Sequence, residues 1–340
     1  MVFLNILDYA LIDEGSNARD ALGQTTELAR YADELGYHRY WVPEQHNALS
    51  IASSAPEMLM MHLAAATKSI RVGSGGVMIP HYSPYKIAEN FRMLEALHPA
   101  RIDLGIGNST GGRIVSKVLN EEKEERLPYE QQVTDIQKYL TGETNQEHRF
   151  QNLIATPVTE TLPEIWMLGA GGKSTKIATE YGTAYSYAHF IKPSEVGADI
   201  IATYRKNFKA SVFHEKPNVS ISVFVVIAET KEEAEELSKA FDLWMASLET
   251  AKNPPYFPSV ETAKKRQYSS LEKQKINQIR KRMIVGNPAH VKEEILKLAE
   301  FYQADEVTLI PNFPGAANRM KGIQLLADAF KLRDKQKSAQ

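Results

Sequence analysis

The 340-residue chain has no cysteine, an absence that removes disulfides, thiolate metal sites and a cysteine nucleophile together. It also lacks any apolar run near the roughly 18 residues that a membrane span needs. The first residues are apolar but carry Asp8, Asp13 and Glu14 with no early Lys or Arg. They do not read as a signal peptide, so the cytoplasm is the expected compartment. An excess of either charge is missing too, with 40 basic against 42 acidic residues and a formal net charge of −2. Both signs are interspersed, and no broad basic field exists for a nucleic acid. There is no internal repeat of fixed period, which excludes a solenoid. His62, His98 and His148 have no partners at metal-ligand spacing, and no metal site is expected.

What the chain does have is 43% hydrophobic residues, enough for a large core, and a regular alternation of strand-like and helical runs. Strand patterns fall at 3–9, 37–43, 70–79, 101–107, 164–169, 183–189, 219–228 and 305–311. Helical periodicity falls at 18–35, 54–67, 84–97, 124–140, 172–181, 194–209, 231–250, 288–302 and 315–333. Eight strands, each followed by a helix, predict an α/β fold of the (β/α)₈ TIM-barrel type, with insertions, rather than an open sheet. Residues 1–335 read as one domain and 336–340 as a polar tail. The segments 141–162 and 251–287 break the alternation. The second, with Asn253-Pro-Pro-Tyr-Phe-Pro and charge-rich 264–282, is longer than a barrel connection needs and reads as a lid or a solvated excursion.

Barrel chemistry sits at the carboxyl ends of the strands. The second strand ends in Glu44-Gln45-His46-Asn47, where His46 can serve as base, donor or stacking partner. Gln45 beside it can orient a group but cannot titrate. The third strand ends in Gly73-Ser-Gly75-Gly76, a pair that marks a bulge or the close approach of a ligand. The fourth ends in Gly105-Ile-Gly107-Asn108-Ser-Thr-Gly-Gly112, which has one residue too many for a dinucleotide fingerprint. After the fifth comes Gly169-Ala170-Gly171-Gly172-Lys173-Ser174-Thr175. Met167 stands where the first glycine of a nucleotide-hydrolase phosphate loop belongs, so that motif fails. A glycine-rich turn into a helix remains, whose N–H groups, hydroxyls and Lys173 charge could take an anion, although it could equally be an ordinary junction. The sixth strand ends in His189-Phe190.

Taken in order, Leu28 to His46, the two glycine-ended strands and Trp166-Met-Leu-Gly-Ala-Gly-Gly-Lys-Ser-Thr resemble the bacterial luciferase-like, flavin-dependent monooxygenases, from Leu4 to about Ala327. The resemblance implies a barrel that binds reduced FMN supplied by a separate flavin reductase. Oxygen would add at the flavin C4a position, and the resulting peroxyflavin would oxygenate a small organic substrate. It implies catalytic roles at His46 and Gln45, and flavin contacts at Gly75, Gly76, Asn108, Ala170, Gly171, Gly172, Lys173, Ser174 and His189. The Gly75–Gly76 peptide should be cis beneath the ring, where a side chain at Gly76 would fill the ring's space.

Two positions depart from the family pattern. Gln45 stands where the luciferases carry the first histidine of Glu-His-His, and Asn108 where the pattern has a phosphate-reaching arginine. Lys173 or Arg113 would have to replace that cation. A deazaflavin (F420)-dependent dehydrogenase of the same superfamily and a flavin-binding protein without turnover are the alternatives. The helices after the second and third strands are apolar on two sides and suggest a homodimer, with Glu89 at the interface or near the site.

Overall fold

The computed structural model describes residues 2–121, 123, 125–145, 148–193, 195–250 and 252–333; the expected tail at 336–340 lies outside them. Its strands are β1 (Phe3–Leu7), β2 (Arg39–Val42), β3 (Arg71–Ser74), β4 (Val77–Met78), β5 (Ile102–Gly107), β6 (Glu164–Gly169), β7 (Ala184–Ala188), β8 (Val219–Ile227), β9 (Met283–Gly286) and β10 (Glu306–Ile310). Parallel pairing runs β1-β2-β3-β5-β6-β7-β8, and β10 closes the ring by pairing with both β8 and β1. Each of the eight expected strands is a stave of this closed barrel. β4 is a short resumption of the β3 line, paired to β5 beyond the Gly75-Gly76 interruption.

Local signals set the helix limits. Asn17 caps Ala18–Leu35 by accepting the Asp20 N–H, and Gly36, at φ 88°, ends it. Prolines begin Pro56–Ala66, Pro84–Leu97 and Pro288–Phe301. The helix expected over 124–140 is instead Tyr129–Thr141. Pro128 delays it, because the residue before a proline is pushed out of helical geometry. A short helix, Arg113–Val118, precedes it and buries none of its residues, so it left no amphipathic signal. No helix among the described residues is long and apolar enough to cross a membrane.

The 252–287 stretch contains helices Val260–Lys265 and Ser270–Arg280 and then β9, which extends the sheet alongside the outer half of β8. The charges that made it look like plain solvated chain have partners. Arg280 binds Asp242 and Glu235, and Ser269 and Glu272 form a capping box. Phe257 is fully buried and exchanges backbone hydrogen bonds with Ile12 and Glu14. None of the stretch's described residues lines the cavity treated below.

The barrel interior is layered by the two-residue period of its strands. At the amino-terminal end lies a buried ion network. Arg39 of β2 reaches Asp103 of β5 (2.8 Å), Glu306 of β10 (2.8 Å) and Glu164 of β6 (3.0 Å). None of these strands neighbours β2, so the bonds must cross the interior. Arg71 adds a second guanidinium on Asp103, and Asn5 donates to Glu306. One layer above, Trp41 donates its indole N–H to Asp103 (2.9 Å) and meets Trp166 edge to face. This layer faces the cavity, with Leu7 and Trp41 in its lining.

Removing Arg39 would leave Asp103 and Glu306 buried without their main counter-charge. Arg39→Ala is expected to lower unfolding free energy by about 3–5 kcal/mol in a urea titration. The same network sets an acid limit. Burial pushes the Asp103 carboxyl up, but Arg39 and Arg71 outweigh it and hold it at about 2; Glu306 is held low by Arg39 in the same way. The folded state therefore keeps these groups ionised where the unfolded chain takes up protons. Their contribution is complete above about pH 5 and is lost as pH falls from there toward 2, which thermal melts across that range will show.

Candidate active site

A cavity of about 630 Å³ opens at the carboxyl ends of the strands. Each of its walls is the continuation of a stave. β1 supplies Leu7 and Tyr9, and β2 supplies Trp41 and then Glu44, Gln45 and His46. Gly75 and Gly76 come from the break after β3, and Gly107, Asn108 and Ser109 from the end of β5. β6 leads to Gly171, Lys173 and Ser174, while Ser186, Ala188, Phe190 and Ile191 follow from β7.

Of the residues singled out in the sequence, Gln45, His46, Gly75, Gly76, Asn108, Gly171, Lys173 and Ser174 are thus brought to one cavity. Ala170 and Gly172 lie in the same turn without lining it. His189 does not line it. Its Nδ1 lies 3.0 Å from the Tyr302 hydroxyl, in a recess with Val223 and Met283, and burial pushes its imidazole down to about 4. The strand's alternation puts Ala188 and Phe190 on the cavity side and His189 on the other. Arg113, at the start of its short exposed helix, does not line the cavity either.

Glu44 organises the β2 end. Its buried carboxylate accepts the Met78 N–H (2.7 Å), the Tyr82 hydroxyl (2.6 Å) and His46 Nε2–H (2.6 Å). A carboxylate can only accept, so Nε2 carries the proton and Nδ1 of a neutral His46 is left as an acceptor. Burial raises the Tyr82 hydroxyl, and its bond to Glu44 raises it further. Burial likewise raises the Glu57 carboxyl, with the Glu44 charge adding to it. Residue type and place made Glu44 visible in the sequence, as a polar residue directly after an apolar strand; what it touches was not.

The rim formed by 108–112 is pinned through His81. The Asn120 side chain donates to its Nδ1 (2.7 Å), and its Nε2 donates to the Thr110 carbonyl (3.2 Å). Among the described residues the side chains of Gln45 and Asn108 have no hydrogen-bond partner, and Lys173 has no ion pair. These three polar groups are free for a ligand. Lys173 stands in the first turn of Gly172–Tyr181, a helix with no side-chain cap at its start, and uncapped N–H groups beside an unpaired ammonium suit an anion.

The Gly75–Gly76 peptide is cis. The expectation that a side chain at Gly76 would occupy the ring's space needs correction. A Cβ there would lie 2.6 Å from the Gly105 carbonyl oxygen, against the barrel wall. At Gly105 a Cβ would come within 1.9 Å of the Ser74 carbonyl oxygen, where the Ser74 hydroxyl bridges the two strands.

The model of the luciferase-like monooxygenase family matches residues 4–304. The chain is 44% identical over 332 residues to the uncharacterized protein YwcH of Bacillus subtilis (strain 168), which covers 97% of this chain and 99% of that one. It is 34% identical to the N-acetyl-S-alkylcysteine monooxygenase of the same organism, over 97% of this chain and 98% of that one. The crystal structure of apo-MsnO8 superposes with a TM-score of 0.85 at 31% identity, covering 98% and 99% of the two chains. Two more distant barrels share the fold. They are the FMN complex of the oxygenating constituent of 3,6-diketocamphane monooxygenase from Pseudomonas putida (TM-score 0.70, 17% identity, 97% and 98% covered) and an F420-dependent secondary alcohol dehydrogenase (0.67, 14%, 96% and 98%).

The glycines separate packing from cavity space. Gly105→Ala, which must displace backbone, is expected to destabilise by about 3 kcal/mol. Gly107→Ala, whose Cβ would meet nothing closer than 3.9 Å, is expected to stay within about 0.5 kcal/mol of the parent in the same urea assay.

Proposed function

The chain belongs to the luciferase-like monooxygenase family, and from that premise we propose that it is an FMN-dependent monooxygenase, taking reduced flavin from a separate reductase and acting on a small organic molecule. The observation that carries this reading is the unpaired Lys173 at an uncapped helix start, in the same cavity as Gly75 and Gly76. Lys173, Ser174 and the backbone N–H groups of that turn would hold the phosphate. Gly75, Gly76, Leu7 and Trp41 would support the ring, and Asn108 and Gln45 would address its polar edge. The flavin, when bound, supplies the electrons that activate oxygen.

The protein's share is to bind, to orient and to exclude water. His46, fixed by Glu44 through Nε2, presents Nδ1 as the acceptor for a proton at the reacting end. Gln45 donates and accepts without titrating, so the proton duty that the luciferases give to that position falls on His46 here. The relative that oxygenates N-acetyl-S-alkylcysteines supports a small organic substrate as the class. Assembly is proposed as a two-fold dimer through Pro56–Ala66 and Pro84–Leu97, where Met58 (76%), Met93 (49%) and Leu97 (56%) stand exposed. Glu89 would sit at that face.

Titrating oxidised and anaerobically reduced FMN beside riboflavin tests the cofactor. Reduced FMN should bind more tightly than oxidised. Lys173→Ala should weaken FMN about tenfold and leave riboflavin unchanged, since only FMN has the phosphate. With reduced FMN the protein should consume oxygen, and His46→Ala should slow consumption more than it weakens binding. Failure to bind FMN together with binding of F420 would transfer the reading to a deazaflavin-dependent dehydrogenase. Gel filtration should give twice the 38.2 kDa of the chain; a monomer at micromolar concentration would remove the dimer.

A further inference from the structure

The cavity has two unlike ends. β1 and β6 stand four staves apart in either direction around the closed ring, so their carboxyl ends are opposite walls. The β6 wall carries Lys173 and Ser174, with Leu168 and Ile177 beside them. The opposite wall carries Tyr9, near Leu7 and Trp41, while Phe190 and Ile191, from the loop after β7, lie between the two walls. The acidic, basic and imidazole side chains lining the cavity, Glu44, His46 and Lys173, belong to the β2 and β6 walls.

Tyr9 stands out within the apolar wall. It is 7% exposed, and behind it an aromatic stack runs from Trp244 through Phe241 and Phe224 to Phe190. Buried tyrosine hydroxyls normally find a partner. Tyr37 donates to the Ile323 carbonyl, Tyr40 to Asp8 and Tyr204 to the Thr183 carbonyl. Among the described residues the Tyr9 hydroxyl has none, and it lines the cavity. Burial raises it far above its ordinary value, so it stays protonated and can donate.

We propose that the Tyr9 wall is the substrate chamber and that it takes a small uncharged, largely apolar molecule bearing one hydrogen-bond acceptor, which the Tyr9 hydroxyl orients. Phe190 and Ile191 supply the apolar contact from the β7 side. A carboxylate has no cation to meet on this wall, because the cavity's lysine is on the opposite one. The inference rests on the phosphate being held at Lys173, which leaves the Tyr9 end for the second ligand.

Calorimetric titration of the FMN-loaded protein with matched probes tests it: acetophenone against α-methylstyrene, cyclohexanone against methylenecyclohexane, and benzoate as the charged control. In the parent at least one ketone should bind about tenfold more tightly than its acceptor-free isostere, the factor one net hydrogen bond gives, and benzoate more weakly than either member of the aromatic pair. Tyr9→Phe should bring each pair within about twofold while FMN affinity stays unchanged, and Tyr9→Trp, which fills the chamber, should abolish probe binding. The proposal is overturned if Tyr9→Phe keeps the ketone preference, if it weakens FMN instead, if benzoate binds best, or if no ketone outbinds its isostere. Failure of the cofactor reading shows separately, as an FMN affinity that Lys173→Ala does not change.

Discussion

Arg39 is 2% exposed and holds three carboxylates on three strands that are not its neighbours. Two guanidiniums and three acids inside a barrel are tolerable only because each charge faces opposite charge and hydrogen-bond donors. The upper layers inherit their geometry from that arrangement. Asp103 fixes the Trp41 indole, Trp41 packs on Trp166, and Trp41 lines the cavity. An apolar plug of equal volume could fill the same space, but it would not fix the rotation of the Trp41 ring.

A second buried carboxylate governs the mouth. Glu44 ties the β2 end to the β4 strand at Met78 and to Tyr82 in the segment leading to the next helix, while orienting His46. Three donors converging on one acidic side chain make these pieces move together. The difference from the luciferase motif then has a physical meaning. With glutamine at 45, the imidazole of this wall is the one whose Nε2 is committed to Glu44, which fixes its tautomer.

Much of the architecture was legible because each stave and helix has a local signal of its own: apolar runs ending in glycine, prolines at helix starts, Gly36 closing the first helix. The parts that were not legible depend on distant partners. Nothing in the run containing Arg280 shows that Asp242 and Glu235 await it, so charges that hold a folded appendage read as solvated chain. His189 was misplaced relative to the cavity although Phe190 beside it lines the wall, because a motif locates a strand end and only the pleat decides which neighbour faces inward. Tyr9, two residues beyond Leu7 on the same face, carries no motif and became visible only when its hydroxyl was found without a partner.

Closure of the ring through β10 has a consequence for biosynthesis. β1 pairs with β10, and Asn5 meets Glu306 across 301 positions of chain. Until β10 emerges, Arg39 lacks Glu306 and the barrel has two open edges. The nascent chain must therefore carry an incomplete barrel for most of its synthesis, a state that exposes sheet edges to neighbouring chains and to holding chaperones. The ring closes only when β10 reaches β1 and β8, and the mouth is complete only then.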